Sequence, residues 1–184
     1  MDVHPNFQNR VKNFIQQFKS KIGEMDEMVT GNIIFQNRMK DVGVITKEDA
    51  IAFGCTGPVA RASGLNCDTR KLYPYDGYEN VKFDEVIETA GDSFARYMVR
   101  LREMKQSAHI IEQLIDNIPE GDFQAKTKAV LKLPKGDFFQ RVETARGQFG
   151  VYIVSEGGTT PYRIKFRSPG FSNLSILDHI ARGG

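Results

Sequence analysis

The chain has 184 residues, of which 40% are hydrophobic and 26% are charged, and its formal net charge is +2. This length suffices for one hydrophobic core or two small ones. The near-neutral charge argues against a dedicated nucleic-acid binder, which carries a basic face. No segment approaches the roughly 18 apolar residues of a membrane span, and no signal peptide is visible, so no direct membrane span is expected.

The first part of the chain is predicted to be helical. Apolar residues recur at three- and four-residue spacing after Pro5, a favourable helix start, and predict an amphipathic helix over about 6–29. Its polar side carries charges of both signs, which favours packing in a core over a membrane-surface face. Two shorter helices are predicted to follow, over 31–40 and 47–53.

Small residues dominate the next segment, 54–64. Glycine tolerates positive φ and close backbone approach, and proline fixes φ. The segment therefore predicts a tight turn that enters a short helix and packs closely against another part of the chain. Arg61 brings a permanent charge into this crowded place, although a solvated arginine is the simpler alternative. The residues expected to shape the loop are Gly54, Gly57, Pro58 and Gly64.

The longest helical pattern lies near the middle of the chain. Apolar residues at alternating spacings of three and four predict a helix over about 92–118, ended by Pro119. Its apolar stripe favours bundle-like packing against one or two other helices, with a two-chain coiled coil as the alternative. Before it, Val81 and Phe83 suggest a short strand.

After Gly121 the pattern changes to alternation. It predicts an antiparallel sheet near 138–167, followed by a last helix that Ser172 or Asn173 could cap. The three strands are expected near 138–145, 148–155 and 161–167. The predicted fold class is therefore α+β, mainly α, with several packed amphipathic helices, one small antiparallel sheet and a C-terminal helix.

We interpret residues 1–184 as one region of a longer protein. Its helical part covers 1–120, its sheet covers 121–170 and its terminal helix covers 171–184. The sequence at both ends reads like the interior of a protein, and we therefore expect an internal fragment.

Sequence motifs alone identify no complete active site. There are no convincingly paired carboxylates, no nucleophile–His–Asp arrangement and no glycine-rich nucleotide loop, so neither a catalytic residue nor an NADH site is assigned. Cys55 and Cys67 fit no metal-ligand spacing and are interpreted as reduced thiols, with a disulfide as the alternative.

One set of segments resembles a known family. The sequence Gly-Cys-Thr-Gly-Pro-Val-Ala-Arg-Ala-Ser-Gly at 54–64 resembles the central signature of the hydrogenase-like large subunit (the D or 49-kDa type) of proton-pumping NADH-quinone oxidoreductase, respiratory complex I. The resemblance runs from about Asn6 to the last residue. Other segments agree in order, at 30–35, 43–50, 68–75, 104–107, 110–113 and 162–169.

The resemblance implies a part in electron transfer from iron–sulfur clusters to quinone, coupled to proton translocation. It also implies an enzyme only as part of the complex, with no complete active site in this fragment. The alternatives are a fragment of the large subunit of an energy-converting nickel–iron hydrogenase and a purely structural interaction scaffold. Reading the CxxC motifs of the parent chain would separate the two enzyme classes.

The resemblance also implies the surroundings of the chain. No cofactor or metal is expected on the fragment itself, whereas quinone and a neighbouring iron–sulfur cluster are expected in the whole complex. The implied protein partners are the iron–sulfur subunit that carries the terminal cluster and the quinone-site subunit of the membrane arm. The implied location is peripheral, on the cytoplasmic side of the inner (plasma) membrane.

Three charged residues are candidates for the quinone chamber or for internal charges. Arg61 lies in the glycine-proline loop. Glu143 and Arg146 lie in Glu143-Thr144-Ala145-Arg146-Gly147, which resembles the family's Glu-Ala-Pro-Arg/Lys-Gly but lacks its proline. A buried arginine needs an acidic or carbonyl partner, so we expect Arg61 and Arg146 to be held by carboxylates. Purely structural ion pairs are an equally good interpretation.

Overall fold

A computed structural model of the chain describes residues 3–122 and 124–181. Eight α-helices and three strands follow one another in the described residues, and they confirm the predicted mainly helical α+β class. A π-helical turn, Asp26–Thr30, extends α1, and a 3₁₀ turn, Tyr78–Asn80, precedes α6. The elements are α1 Phe7–Met25, α2 Ile33–Met39, α3 Lys47–Ala52, α4 Pro58–Arg61, α5 Thr69–Leu72, α6 Ser93–Leu114, β1 Gly136–Thr144, β2 Gly147–Ser155, β3 Arg163–Arg167, α7 Pro169–Ser175 and α8 Leu177–Ile180.

Polar side chains define where several helices begin. The Asn32 side chain accepts hydrogen bonds from the first amides of α2. The Thr46 hydroxyl accepts from the Asp49 amide and donates to the Asp49 carboxylate at the start of α3. The Asp92 carboxylate accepts from the Ala95 amide at the start of α6. These caps satisfy amides that have no partner inside their helix.

Helix α6 lies at the centre of the helical part. It packs against α1, α2 and α4, so it buries a second face besides the predicted stripe. Val99 and Ala108 are fully buried, whereas Ile111 and Ile118 remain 38% exposed. The helix also ends at Leu114 rather than near 118. Leu101, Ala108 and Ile115 of the predicted stripe are buried, and Ala95, Val99 and Ile110 form a second buried face that the apolar spacing did not indicate.

The strand suggested around Val81 and Phe83 does not form. Both side chains are buried, but the backbone between them pairs with side chains of α6. The Gln113 carboxamide accepts from the Lys82 amide and donates to its carbonyl, and the Gln106 carboxamide accepts from the Asp84 amide. Glutamines thus take the place of a neighbouring strand.

The three strands form an antiparallel sheet in the order β1-β2-β3, as predicted. Glu143 pairs with Gln148, and Gly150 pairs with Arg167, so the charged residues of β1 and β3 and Gln148 of β2 share one face. This face meets the helical part through Glu143 and Gln148. The other face is mostly apolar and includes Ile164 and Phe166, which are 45% and 63% exposed. The sheet therefore turns its polar face towards the body of the chain.

The C-terminal helical segment begins earlier than predicted. Helix α7 starts at Pro169, so neither Ser172 nor Asn173 is its cap. The Asn173 carboxamide instead accepts from the Thr56 amide and donates to the carbonyls of Thr56 and Arg146. Asn173 thus ties this helix to the glycine-proline loop.

Across residues 3–122 and 124–181, no helix combines the length and hydrophobicity that crossing a bilayer requires.

Candidate functional site

The glycine-proline loop is held against the turn between β1 and β2. Gly57 has φ +67° and ψ −148°, and Pro58 follows as the first residue of α4. A Cβ on Gly57 would overlap the Cα of Gly147, and a Cβ on Gly147 would lie 2.6 Å from the Thr56 hydroxyl. Only a residue without a side chain fits at either position. Gly54 and Gly64 also have positive φ, at +64° and +80°.

Arg167 of β3 binds both the loop and β2. Its guanidinium donates to the Gly54 carbonyl at 2.7 Å, the Gln148 carbonyl at 2.7 Å and the Thr56 hydroxyl at 3.1 Å. The loop is therefore fixed by the sheet, and the helix that starts at Pro58 has a defined direction.

That direction places Arg61 in the interior. Only 1% of the residue is exposed. Its Nε donates to Glu103 Oε1 at 2.7 Å, and its Nη1 donates to Glu143 Oε1 at 2.9 Å; Nη2 lies 2.6 Å from Glu103 Oε1. Burial disfavours the charged guanidinium, but the two carboxylates outweigh it and raise the pKa of Arg61 above its ordinary value. One buried cation thus joins α4, α6 and β1.

Glu143 is anchored from two further directions. Its Oε2 accepts from the Thr69 amide at the start of α5, at 3.1 Å. Its own amide donates to the Tyr75 hydroxyl at 2.9 Å. Both carboxylate oxygens of Glu143 therefore have donors, which fixes the side chain in the interior.

A second buried ion pair lies next to the first. Asp68 is 1% exposed, and its Oδ2 accepts from Arg70 Nη2 at 2.6 Å. Burial pushes the pKa of Asp68 upward, but the hydrogen bonds and charge of Arg70 outweigh it and hold that pKa below its ordinary value. Glu85 accepts from the amides of Cys67 and Asp68, which orients this turn.

A cavity of about 560 Å³ opens between these groups. Charged and polar side chains from α4, α6 and β1 line it, together with Met104 and Tyr78. Burial raises the pKa of Glu103, although the charge and hydrogen bonds of Arg61 oppose this change. The cavity thus combines a permanent cation with a carboxyl group whose charge is disfavoured. Its lining residues include Arg61, Arg70, Arg100, Glu103, Ser107 and Glu143.

The three candidates from the sequence have different surroundings. The structure brings Arg61 and Glu143 together, 82 residues apart in sequence. Arg146 lies on the turn between β1 and β2, where its side chain is exposed. The expectation that a carboxylate holds Arg146 as an internal charge is not met in this chain, because Arg146 is exposed and forms no ion pair among the described residues.

Sequence reasoning missed Glu103 and the Asp68–Arg70 pair. Glu103 lies between Leu101 and Met104 of the predicted stripe, and the spacing alone assigns it to a solvated face. The requirement that a buried Arg61 have acidic partners was the available signal, but it does not say which carboxylate supplies the charge.

Neither cysteine is in a disulfide. Cys55 is buried, and Cys67 is half-buried beside Asp68. Burial raises the pKa of both thiols, to about 11 for Cys67. In the part of the chain that the structure describes, no group of three or more His, Cys, Asp or Glu side chains is placed to hold a metal ion.

Comparisons with known proteins identify the family. The sequence matches the family described as respiratory-chain NADH dehydrogenase, 49 Kd subunit, over residues 1–132 and 122–184. It is 52% identical over 182 residues to the fused C/D subunit of NADH-quinone oxidoreductase from Bacteroides fragilis, covering 99% of this chain and 34% of that relative.

Unfused relatives are also similar. Identity is 44% over 182 residues to the D-type subunit of NADH-quinone oxidoreductase from Desulforamulus reducens, covering 99% of this chain. Identity is 42% over 183 residues to the second D-type subunit from Solibacter usitatus, covering 100% of this chain. The chain spans 50% of the length of each of these two proteins. It belongs to the family of the 49-kDa subunit of respiratory-chain NADH dehydrogenase.

Proposed function

We propose that this chain forms part of the quinone-reducing subunit of an NADH-quinone oxidoreductase, in which electrons pass from iron–sulfur clusters to quinone and drive proton translocation. The observation that carries the proposal is the match to one family along the whole chain. The chain spans half the length of its unfused D-type relatives, so the remaining half of such a protein would complete the site. The activity therefore belongs to the assembled complex.

Within that site, we propose that Arg61, Glu103 and Glu143 form a polar wall of the quinone chamber. Three elements meet at the Arg61 guanidinium, and the cavity beside it is lined by Met104 and Tyr78 as well as by charges. A cavity with mixed apolar and polar lining suits an amphipathic ring ligand. Arg146 stays a candidate for the same chamber, because its exposed side chain is available to a neighbouring part of the complex.

The proposed partners are the iron–sulfur subunit that carries the terminal cluster and the quinone-site subunit of the membrane arm. The outward apolar face of the sheet supports a place inside a larger assembly. Phe166 on this face is 63% exposed, and such an apolar ring is suited to burial against a partner. The proposed location is peripheral, on the cytoplasmic side of the membrane. Quinone and the iron–sulfur cluster would be supplied by the complex.

Two alternatives differ from this proposal. The names of the relatives and of the matched family favour a quinone reductase over an energy-converting nickel–iron hydrogenase. A pure scaffold would keep the same fold without placing any side chain near quinone. In that case, replacing the buried charges would change assembly and stability but not the rate of a correctly assembled complex.

The decisive experiment uses the full-length protein in the assembled complex. We expect Arg61→Met to lower NADH-quinone reductase activity several-fold, while electron transfer from NADH to an artificial acceptor upstream of quinone stays normal. Arg146→Met tests the second arginine, and Arg102→Met is the control because Arg102 is a half-exposed partner of Glu88 outside the cavity. Normal quinone reduction in both the Arg61 and Arg146 variants, at normal assembly, would overturn the chamber role.

A further inference from the structure

The two carboxylates that hold Arg61 are not equivalent. Glu143 receives a donor at each oxygen, from Arg61 at Oε1 and from the Thr69 amide at Oε2. Both contacts of Arg61 with Glu103 go to the same oxygen, Oε1. Within the described residues, Oε2 of Glu103 accepts no hydrogen bond, and no fully buried side-chain oxygen lacks a partner. Oε2 is therefore open to the cavity that Glu103 lines.

The cations near Glu103 do not fully neutralise the negative charge of its carboxylate. Arg61 on α4 is shared between two carboxylates. On α5, Arg70 is engaged by Asp68. Arg100, one turn earlier on α6, donates to the Arg96 carbonyl. A carboxylate that shares its cation and is withdrawn from water favours the protonated form more than an exposed one does, and burial accordingly raises the pKa of Glu103.

We propose that Glu103 is the proton-binding group of the Arg61 cavity. Its Oε2 takes up a proton from water that reaches the cavity, which converts the carboxylate to a carboxylic acid, and returns the proton when the cavity becomes more alkaline. Oε1 keeps its contacts with Arg61 in both forms, so the exchange requires no change in the fold. Arg61 stays charged and paired with Glu143 throughout.

The consequence for catalysis rests on the function proposed above. Reduction of a quinone to a quinol takes up one proton for each electron. A carboxylic acid that exchanges with the cavity supplies protons from within the chain and is recharged by water. Glu103 would then be a positioning and proton-supplying residue of the chamber. The binding of the proton itself does not depend on quinone and can be measured separately.

The first test is an infrared titration of the full-length protein that follows the carbonyl band of protonated carboxylic acids. We expect one band to persist to a pH above the range of exposed glutamates, and to be lost in Glu103→Gln. Glu112→Gln is the matched control on α6, because Glu112 is an exposed partner of Lys19. The absence of such a band in the unmodified protein, or its loss in Glu143→Gln and not in Glu103→Gln, would overturn the assignment.

The second test measures quinone reduction against pH in the assembled complex. We expect the wild-type rate to fall as the pH rises through the titration of Glu103. The Glu103→Gln complex should be slower, and its rate should not show this fall. Glu103→Asp, which keeps an ionisable group, should restore the fall of the rate with rising pH. If the infrared band is assigned to Glu103 and the pH profile of Glu103→Gln matches the wild type, proton binding stands and its use in quinone reduction is refuted.

Discussion

Gly57 and Gly147 lie in contact, backbone against backbone, although 90 positions separate them in the sequence. A Cβ on Gly57 would lie 2.6 Å from the Gly147 amide nitrogen, and a Cβ on Gly147 would lie 2.9 Å from the Gly57 amide nitrogen. This contact sets where the glycine-proline loop meets the turn of the sheet. It thereby brings Arg61 of α4 to Glu143 of β1.

Gly57→Ala is therefore expected to destabilise the chain by about 3 kcal/mol or more, because the new methyl group meets backbone that cannot rotate away. Gly54→Ala is the matched control. Gly54 also has positive φ, but open space surrounds its missing Cβ, so its cost should be only the strain of about 1 kcal/mol. Denaturant unfolding of both variants measures the difference. Equal losses would mean that the contact with Gly147 contributes nothing.

Much of the fold could be predicted from local sequence because its causes are local. The spacing of apolar residues predicted α1 and α6, and the alternation after Gly121 predicted three strands in antiparallel order. What failed depended on neighbours. The second buried face of α6, which the stripe did not indicate, reflects its packing against several other helices. The backbone around Val81 pairs with glutamine side chains of α6 rather than with a strand.

The candidate site could be predicted only in part. The small residues of the loop correctly indicated close packing, and the need of a buried arginine for acidic partners indicated an ion pair. The identity of those partners is a property of the fold, since Glu103 and Glu143 lie 42 and 82 residues from Arg61. The orientation of the turn at Arg146 is likewise set by contacts that one sequence does not display.

Replacing the central cation should be costly. Arg61→Met would leave two carboxylates in the interior without their shared partner, and we expect a loss of about 3–5 kcal/mol in the free energy of unfolding. Arg102→Met removes an arginine from a partly exposed pair with Glu88 and should cost less than about 1 kcal/mol. Chemical denaturation at neutral pH compares the two. A small effect at Arg61 would contradict its role as the link between α4, α6 and β1.

The buried pair of Asp68 and Arg70 predicts a loss of stability in acid. Because the pKa of Asp68 is lowered in the folded chain, its contribution is present above the ordinary value of about 3.9 and is lost as the pH falls through the lower folded value. Asp68→Asn should be less stable than the wild type at neutral pH. The difference should shrink below about pH 4.

Unfolding curves between neutral and acidic pH test this prediction. Asp116→Asn is the control, because Asp116 is a partner of Lys12 on the exposed surface and its removal should change stability by less than about 1 kcal/mol. A difference between Asp68→Asn and the wild type that stayed constant down to the most acidic condition would contradict the linkage.

The two thiols should react slowly in the folded chain. Burial raises the pKa of Cys67 from 9.0 to about 11, and the thiolate is the reactive form. At neutral pH this lowers the thiolate fraction about a hundredfold. Alkylation followed by mass spectrometry should therefore label Cys67 far more slowly in the native chain than in denaturant. Rapid native labelling would show that the thiol is not held as the structure has it.

The apolar outer face of the sheet gives a prediction about assembly. Phe166 is 63% exposed and stacks on Phe149, whereas the neighbouring Lys165 points to the opposite face. Phe166→Glu should change the stability of the chain by less than about 1 kcal/mol, because the ring is largely in water. If another part of the complex covers this face, the same substitution should strongly reduce incorporation of the full-length protein, since a carboxylate would be buried without a partner. Lys165→Glu places a carboxylate on the opposite face of the same strand and should leave assembly intact. Normal incorporation of both variants would mean that the apolar face stays uncovered.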